Sequence, residues 1–306
     1  MHNFEIFAIG EQHKVIVKSS ENAQRNTDKE ALNLLFNVVS ECFDTESSIQ
    51  YLQFELDDSS VARFVQSKLP LDGENKLYKS AFYQLSDHWH QHTSSSQYPL
   101  VLVQSNPSYR LHPLRPPKPE AVVYKRFDCN CNHDVSFRLI DKQRDLQKFT
   151  QWMNNPRVAE FWEQAWSEEK LADFIDERMN DSHTLPLIGE FDGQPFGYVE
   201  AYWTAEDRLS AYYDAKPYDR GIHLLVGEEN FRGAKYFQSW MKAISHYLFL
   251  DDMRTEKIVL EPRYDNVRLF TRIEEVGYKK HFEFNFPHKR SAFVSLERHA
   301  FFTEQW

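Results

Sequence analysis

Residues 221–237 read GIHLLVGEENFRGAKYF: an apolar run, a short polar turn with glycine, then the start of a long amphipathic stretch. The pattern predicts a strand, a turn and a helix. The first turn of any helix leaves backbone N–H groups without partners. The helix dipole adds partial positive charge there, so this helix start suits a pyrophosphate. Gly233 lets backbone approach a ligand closely, and Arg232 and Lys235 add two cations. A solvated helix start is the plain alternative.

Working outward, TLPLIGEFDGQPFGYVEAYW (184–203) reads as a hairpin turning at Asp192-Gly193. Upstream lie a strand, VSFRLID (135–141), and two helices. DLQKFTQWMNN stops at Pro156, and SEEKLADFIDERMND opens with a serine cap and acidic first turn. Downstream, GAKYFQSWMKAISHYLFLDD is a long helix and KIVLEP (257–262) a strand. NVRLFTRIEEVGY is a helix ending at Gly277, and KKHFEFNF and RSAFVSLE are closing strands. The order β-α-α-β-β-β-α-β-α-β-β predicts a mixed α/β fold with a sheet flanked by helices.

NPSYRLHPLRPPKP (106–119) holds five of the thirteen prolines and reads as an extended connector. We therefore expect an N-terminal α/β domain at 1–105, a proline-rich linker at 106–135 and a larger domain at 136–306. The smaller domain would carry FEIFAI and KVIVK as a hairpin, DKEALNLLFNVVSECF as a helix and IQYLQFEL as a strand. DDSSVARFVQSKL would be a second helix and YPLVLV a buried strand.

The chain has 306 residues, 36 Lys+Arg against 46 Asp+Glu, and a net charge of −10, which argues against general nucleic-acid binding. Its nine glycines weaken any dinucleotide fingerprint. Three cysteines (Cys42, Cys129, Cys131) give no disulfide framework and point to a reducing cytoplasm. Cys129-x-Cys131 with His133 does not complete a zinc set, and we expect no metal. In WHQH (89–92) we expect a polar helix end on which His90 and His92 point apart. The N-terminus lacks the pattern of a signal peptide, and no apolar run is long enough for a membrane span.

The element order resembles the GNAT superfamily of acyl-CoA N-acyltransferases. There a central strand splays from its neighbour, and the following loop and helix start hold the CoA pyrophosphate. The usual Q/R-x-x-G-x-G/A loop stands here as Asn230 to Lys235, with Gly233 as the middle glycine and Asn230 and Lys235 departing from the pattern. FTQWMNNPRVAEFWEQ, PLIGEFDGQPF, YDRGIHLLVGEENFRGAKYFQSW, VLEPRYDN and FPHKRS resemble one branch, the hydroxamate-siderophore acyltransferases, including the aerobactin-pathway N6-hydroxylysine acetyltransferases. The smaller domain would then be a degenerate relative of the larger. The resemblance implies acetyl-CoA as co-substrate, held by Leu225, Val226, Phe231, Arg232, Gly233, Ala234, Lys235, Tyr236 and Asn266. It implies a catalytic pair at His223, in G-x-H-L-L, and Asp265, in E-P-x-x-D-N.

The chemistry suits those residue types. N-hydroxylation lowers amine basicity, so the nucleophile arrives largely unprotonated, unlike a lysine with its reference pKa of ~10.4. A histidine suits base work near pH 7, with Asp265 orienting the ring or the substrate; the reverse assignment stays open. Each residue also has a plain reading, His223 as a core histidine and Asp265 as a helix cap. Strand N–H groups near Leu225 and Val226 can receive a thioester carbonyl. Asn154, Asn155, Arg157, Trp162, Trp166, Glu200 and Trp203 are candidate acceptor-site residues, with Glu200 for an ammonium and Arg157 for a carboxylate. For the tryptophans the core is the plainer reading. HKR (288–290) reads as a solvated turn ahead of a ligand contact. The expected reaction is acyl transfer, acetyl first, to an N-hydroxylated amine. N6-hydroxylysine, N-hydroxyputrescine and N-hydroxycadaverine remain open, as do succinyl donors and oligomeric state. The competing readings are an N-acetyltransferase for another amine and an inactive CoA- or partner-binding module.

Overall fold

The computed structural model describes residues 4–9, 14–19, 27–56, 59–108, 110–120 and 122–306. It divides into two compact units: residues 1–88 with 302–304 and 306, and residues 89–301 with 305. Asp57 and Asp58, expected at a helix start, lie outside the described residues.

In the first unit, β1 (Phe4–Ile9) and β2 (Lys14–Ser19) pair antiparallel. Then come α1 (Asp28–Thr45), β3 (Tyr51–Leu56), α2 (Ser59–Lys68), β4 (Lys76–Tyr78) and the short α3 (Lys79–Phe82). The sheet order is β1-β2-β3-β4. Thr27 and Glu30 form a capping box at α1, which satisfies two donors that would otherwise be orphaned. One face of α1 buries Leu35, Phe36, Val39 and Phe43.

The second unit opens with a two-stranded hairpin, β5 (Leu102–Val103) with β6 (His112–Pro113). YPLVLV is thus a short exposed strand, with Leu100 59% and Leu102 55% exposed, and not the buried strand expected from its apolar run. The stretch expected as a linker to residue 135 contains a full strand, β7 (Val122–Asp128), paired to β8 (His133–Leu139). The prolines end at 119, and Val122 to Phe127 can enter a ladder.

Three helices follow: α4 (Lys142–Met153), α5 (Pro156–Trp162) and α6 (Glu168–Asn180). Each begins on a side-chain cap, from Asp141, Asn155 and Ser167. The cap at Asn155 with Pro156 at the first helical position makes 156–162 a separate helix. Then come β9 (Thr184–Phe191), β10 (Gln194–Trp203), β11 (Arg220–Val226), α7 (Ala234–Asp251), β12 (Lys257–Leu260), α8 (Val267–Glu274), β13 (Lys279–Asn285), β14 (Arg290–Glu297) and α9 (Arg298–Glu304). Eight strands form one sheet in the order β13-β14-β12-β11-β10-β9-β8-β7. Phe149, Trp152, Leu171 and Phe174 of α4 and α6 pack with Ile188, Tyr198 and Leu225 of the sheet. From Ser239 to Asp251 nearly every residue of α7 is buried, as befits a helix enclosed on all sides. No helix among the described residues is long and apolar enough to cross a membrane.

Candidate active site

β11 is the strand that decides the site. Against β10 it pairs over its whole length, from Trp203↔Arg220 to Gly197↔Val226. Against β12 it pairs, in parallel, only at Arg220↔Ile258 and Gly221↔Val259. Beyond Gly221 the two strands part. The carbonyls of Leu224 and Val226 on the freed edge accept from α5 instead: Trp162 Nε1 at 3.2 Å and Arg157 Nη2 at 2.9 Å. Strand alternation then turns the N–H of Val226 to the open edge and that of Leu225 back toward β10. Of the two amides expected to meet a carbonyl, Val226 is the one available.

The turn after β11 runs close to α4. Gly227 has no side chain because Trp152 fills that space: a Cβ there would lie 2.1 Å from the indole. Trp152 Nε1 and Lys148 Nζ both donate to Glu228 and fix the turn. Gly233 caps α7 at φ 125, ψ 164, backbone that is essentially glycine-only. No side chain caps this helix start and its first turn has no acidic residue. The free N–H groups at Ala234, Lys235 and Tyr236 therefore face outward uncompensated. Phe231 and Tyr236 pack edge to face, with Phe191 beneath both. Arg232 is paired with Glu229.

At the mouth of the parted strands is a cleft of about 1220 Å³. His223 lines it, with 28% of its side chain exposed. Its Nδ1 donates to Glu200 Oε2 at 2.9 Å and its Nε2 to Glu261 Oε1 at 2.7 Å. The three residues form one row across the sheet. Glu200 is the direct register partner of His223 on β10. Glu261 lies two residues past Val259, as His223 lies two past Gly221. Both carboxylates are buried, and each accepts a further bond, Glu200 from Tyr198 and Glu261 from Tyr202. Burial alone would lower the histidine pKa. The charge of Glu261 and the hydrogen bonds to both carboxylates outweigh it, raising the pKa from 6.5 to about 10. The ring is an imidazolium at neutral pH. Burial would likewise push the carboxyl of Glu261 up, but His223 holds it down at about 2.

Residues 141–286 match the model of the acetyltransferase (GNAT) domain. The N(6)-hydroxylysine O-acetyltransferase of Escherichia coli is 45% identical over 228 residues, 74% of this chain and 72% of that protein. The chain belongs to the GNAT acetyltransferase family. The N(5)-hydroxyornithine:cis-anhydromevalonyl coenzyme A-N(5)-transacylase of Beauveria bassiana is 39% identical over 63% of this chain and 43% of its own length. Among solved structures, an uncharacterized protein from Bacillus halodurans overlays with a TM-score of 0.57 at 27% identity, over 60% of this chain and 94% of that one.

Within this GNAT frame the expected residues separate. Asn266, which caps α8 through Leu269 N–H, lines the cleft with His223, Glu200 and Trp162. Asp265 does not pair with His223. Its carboxylate is exposed and accepts from Arg263 Nε at 2.6 Å, while both nitrogens of His223 face glutamates. Glu200, expected to bind an ammonium, holds His223 instead. Asn154 closes α4, bonding the carbonyls of Thr150 and Trp166, and Asn155 caps α5. Arg157 spans Val226 and, at 3.4 Å, Glu229. Trp166 packs on Phe174 under Lys170. Trp203 is away from this cleft, between the guanidiniums of Arg115 at 4.2 Å and Arg220 at 3.8 Å.

His90 and His92 are not on a helix; their rings lie 4.0 Å apart. With Asp251 they are the group of donors, among the described residues, close enough to hold a metal. Hydrogen bonds already serve each: Nδ1 of both meets backbone carbonyls, Tyr247 meets His92, and Arg220 and Ser95 meet Asp251. Lys289, expected in a solvated turn, reaches the cleft and donates to the Glu261 carbonyl at 3.1 Å. Arg208 also lines the cleft.

Proposed function

We propose that this protein is an acyl-CoA-dependent acyltransferase that converts an N-hydroxylated amine, N6-hydroxylysine first, into a hydroxamate of the kind used in siderophores, with acetyl as the acyl group. One observation carries the reading: β11 parts from β12 beside an uncapped helix start, and His223 with its two glutamates faces the cleft at that opening.

The chain's residues fit such a co-substrate. The N–H groups of 234–236 and the open space at Gly233 suit a pyrophosphate, and the freed edge of β11 suits an amide-bearing arm. Bound acyl-CoA supplies the activated acyl group. The N–H of Val226 is placed to stabilise the carbonyl oxygen, a contribution of roughly 2.7–4 kcal/mol for such a donor. Holding both reactants in register is worth up to ~7–11 kcal/mol, so positioning exceeds proton transfer.

His223 works from its imidazolium form. For the transfer one ring N–H leaves its glutamate and gives its proton to the departing thiolate; the ring then regains a proton from the acceptor's nitrogen as the amide bond forms, drawn by the buried carboxylates of Glu200 and Glu261. The acceptor enters with its nitrogen largely unprotonated, so no strong base is needed before attack. Asp265, at the rim through Arg263, orients the acceptor rather than the imidazole.

The test is release of free thiol from several acyl-CoAs crossed with N6-hydroxylysine, N-hydroxycadaverine, lysine and cadaverine. The expected result is turnover with acetyl-CoA and an N-hydroxy amine, and at least a tenfold advantage over the plain amine. Equal rates with plain amines, or no thiol with any N-hydroxy amine, would overturn the reading.

A further inference from the structure

The acceptor cleft is electrically divided. Along α6 and its C-terminus it presents Asp173, Asp176, Glu177 and Asp181, with Arg178 beside them; Asp176 pairs with Lys142 and Asp181 with Arg178 and His183, so Asp173 and Glu177 are the acids offered to an ammonium. The opposite wall holds cations, most of them already engaged. Arg263 is held by Asp265 at 2.6 Å with Glu160 at 3.7 Å. Lys289 donates to a backbone carbonyl, and burial lowers its pKa.

Arg208 differs. Its side chain is half exposed. Its guanidinium meets the Nε2 of His288 at 3.3 Å, lies over the ring of Phe286 at 4.9 Å, and stands 4.0 Å from Glu261. The neighbouring carboxylate of Asp207 also lines the cleft; it accepts from the N–H of Leu209 at 2.8 Å, and burial raises its pKa despite the nearby charges of His223 and Arg208. Arg208 is thus a planar cation backed by an aromatic face, with no paired carboxylate within 3.5 Å among the described residues. A guanidinium so placed binds a carboxylate through two parallel N–H···O bonds.

We propose that Arg208 reads the α-carboxylate of an N-hydroxy amino acid and so sets amino acid over diamine as acceptor. This rests on the acyltransfer reading above. Geometry permits it. Glu261 Oε1 is 2.7 Å from His223 Nε2 and 4.0 Å from Arg208 Nη2, so these two nitrogens are no more than about 6.7 Å apart. Six single bonds separate the side-chain nitrogen of N6-hydroxylysine from its carboxylate carbon, about 7 Å when extended. With a hydrogen bond of ~2.9 Å allowed at each end, the reacting nitrogen can sit beside His223 while the carboxylate meets Arg208. The α-ammonium then faces the acidic wall. A diamine has nothing to offer Arg208.

The test crosses wild type, Arg208→Gln and Arg208→Lys with three acceptors: N6-hydroxylysine, its carboxamide and N-hydroxycadaverine. A lost charge-assisted pair is worth about 10- to 100-fold. Arg208→Gln should raise KM for N6-hydroxylysine by that factor, at least tenfold more than for the other two acceptors. The change in kcat should be small, and Arg208→Lys should restore part of the loss. An equal fall for all three acceptors would show that Arg208 only supports Glu261 and His288, and would overturn the proposal. So would a wild-type preference for the diamine or the carboxamide. A wild type that turned over no N-hydroxy amine would instead remove the acyltransfer reading, and this assignment with it.

Discussion

Replacing Glu261 by glutamine tests the electrostatics of the site directly. Glutamine keeps the shape and an acceptor for the Tyr202 hydroxyl, 2.8 Å away in the wild type, but removes the anion 2.7 Å from His223 Nε2. The native arrangement lifts His223 from 6.5 to about 10. That displacement corresponds to roughly 5 kcal/mol between its two protonation states. The charge of Glu261 is the largest contribution raising it, while Glu200 still holds Nδ1. Glu261→Gln should therefore lower the histidine pKa by roughly 2 pH units. Two assays read this. The Cε1–H resonance of His223, assigned by its absence in His223→Gln, should titrate near pH 10 in the wild type and near 8 in the variant. The alkaline limb of kcat/KM should move down with it. Linkage gives a third reading. A raised histidine pKa stabilises the fold fully below about pH 6.5 and loses that contribution as pH climbs through about 10. Wild type should lose stability over that window and the variant should lose less. A wild-type His223 titrating near 6.5, or an alkaline limb unmoved by Glu261→Gln, would refute the imidazolium mechanism.

Gly233→Val places a β-branched residue at φ 125 and should cost about 1–3 kcal/mol. Because a Cβ there meets nothing within 4 Å, the cost is in backbone strain. Calorimetry should show weakened CoA binding beyond what a modest fall in melting temperature explains, and unchanged CoA affinity would dissociate Gly233 from that role. Asp265→Asn removes only an exposed, solvent-screened pair with Arg263 and should leave stability essentially unchanged. A kcat loss above tenfold with an unchanged melting curve is expected if Asp265 orients the acceptor, and a wild-type kcat would confine it to the surface pair. Trp203→Ala empties the slot between two guanidiniums and should cost ~3–5 kcal/mol. KM for acyl-CoA and acceptor should stay within about twofold, and a selective rise in acceptor KM would return Trp203 to the acceptor site.

The elements that sequence made legible are those set by local chemistry. The 3.6-residue periodicity from Ala234 onward, the caps at Asp141 and Ser167, and the Asp192-Gly193 turn each fix a segment without help from the rest of the chain. The helix start at Gly233 was readable for the same reason. YPLVLV misled because a run of apolar residues is equally an exposed hairpin edge, and only packing partners decide. The expected linker overlaps β7 (Val122–Asp128) because proline content marks where a strand cannot be, but not where one begins.

The row of His223, Glu200 and Glu261 was half legible for a deeper reason. His223 stood out in its strand, but its partners are set by register. Glu200 comes from a strand that runs antiparallel to β11 and Glu261 from the residue just past one that runs parallel. They meet His223 only because β10, β11 and β12 are adjacent in that order. Sequence offered one clue in KIVLEP: a carboxylate at the end of an apolar strand must find a cation or a donor if it is buried. Asp265, four residues on, is the more conspicuous acid because it precedes a helix, yet an acid in a solvated turn needs no partner from the core. A buried acid does, and at Glu261 that partner is the imidazole. The row therefore makes the site's charge a property of strand register. A one-residue slip of β12 against β11 would turn Glu261 to the other face of the sheet, leaving a buried anion unpaired and His223 with Glu200 alone. The two residue pairs that fix this register, Arg220↔Ile258 and Gly221↔Val259, are thus the hinge on which both the opening of the cleft and the protonation of its histidine depend.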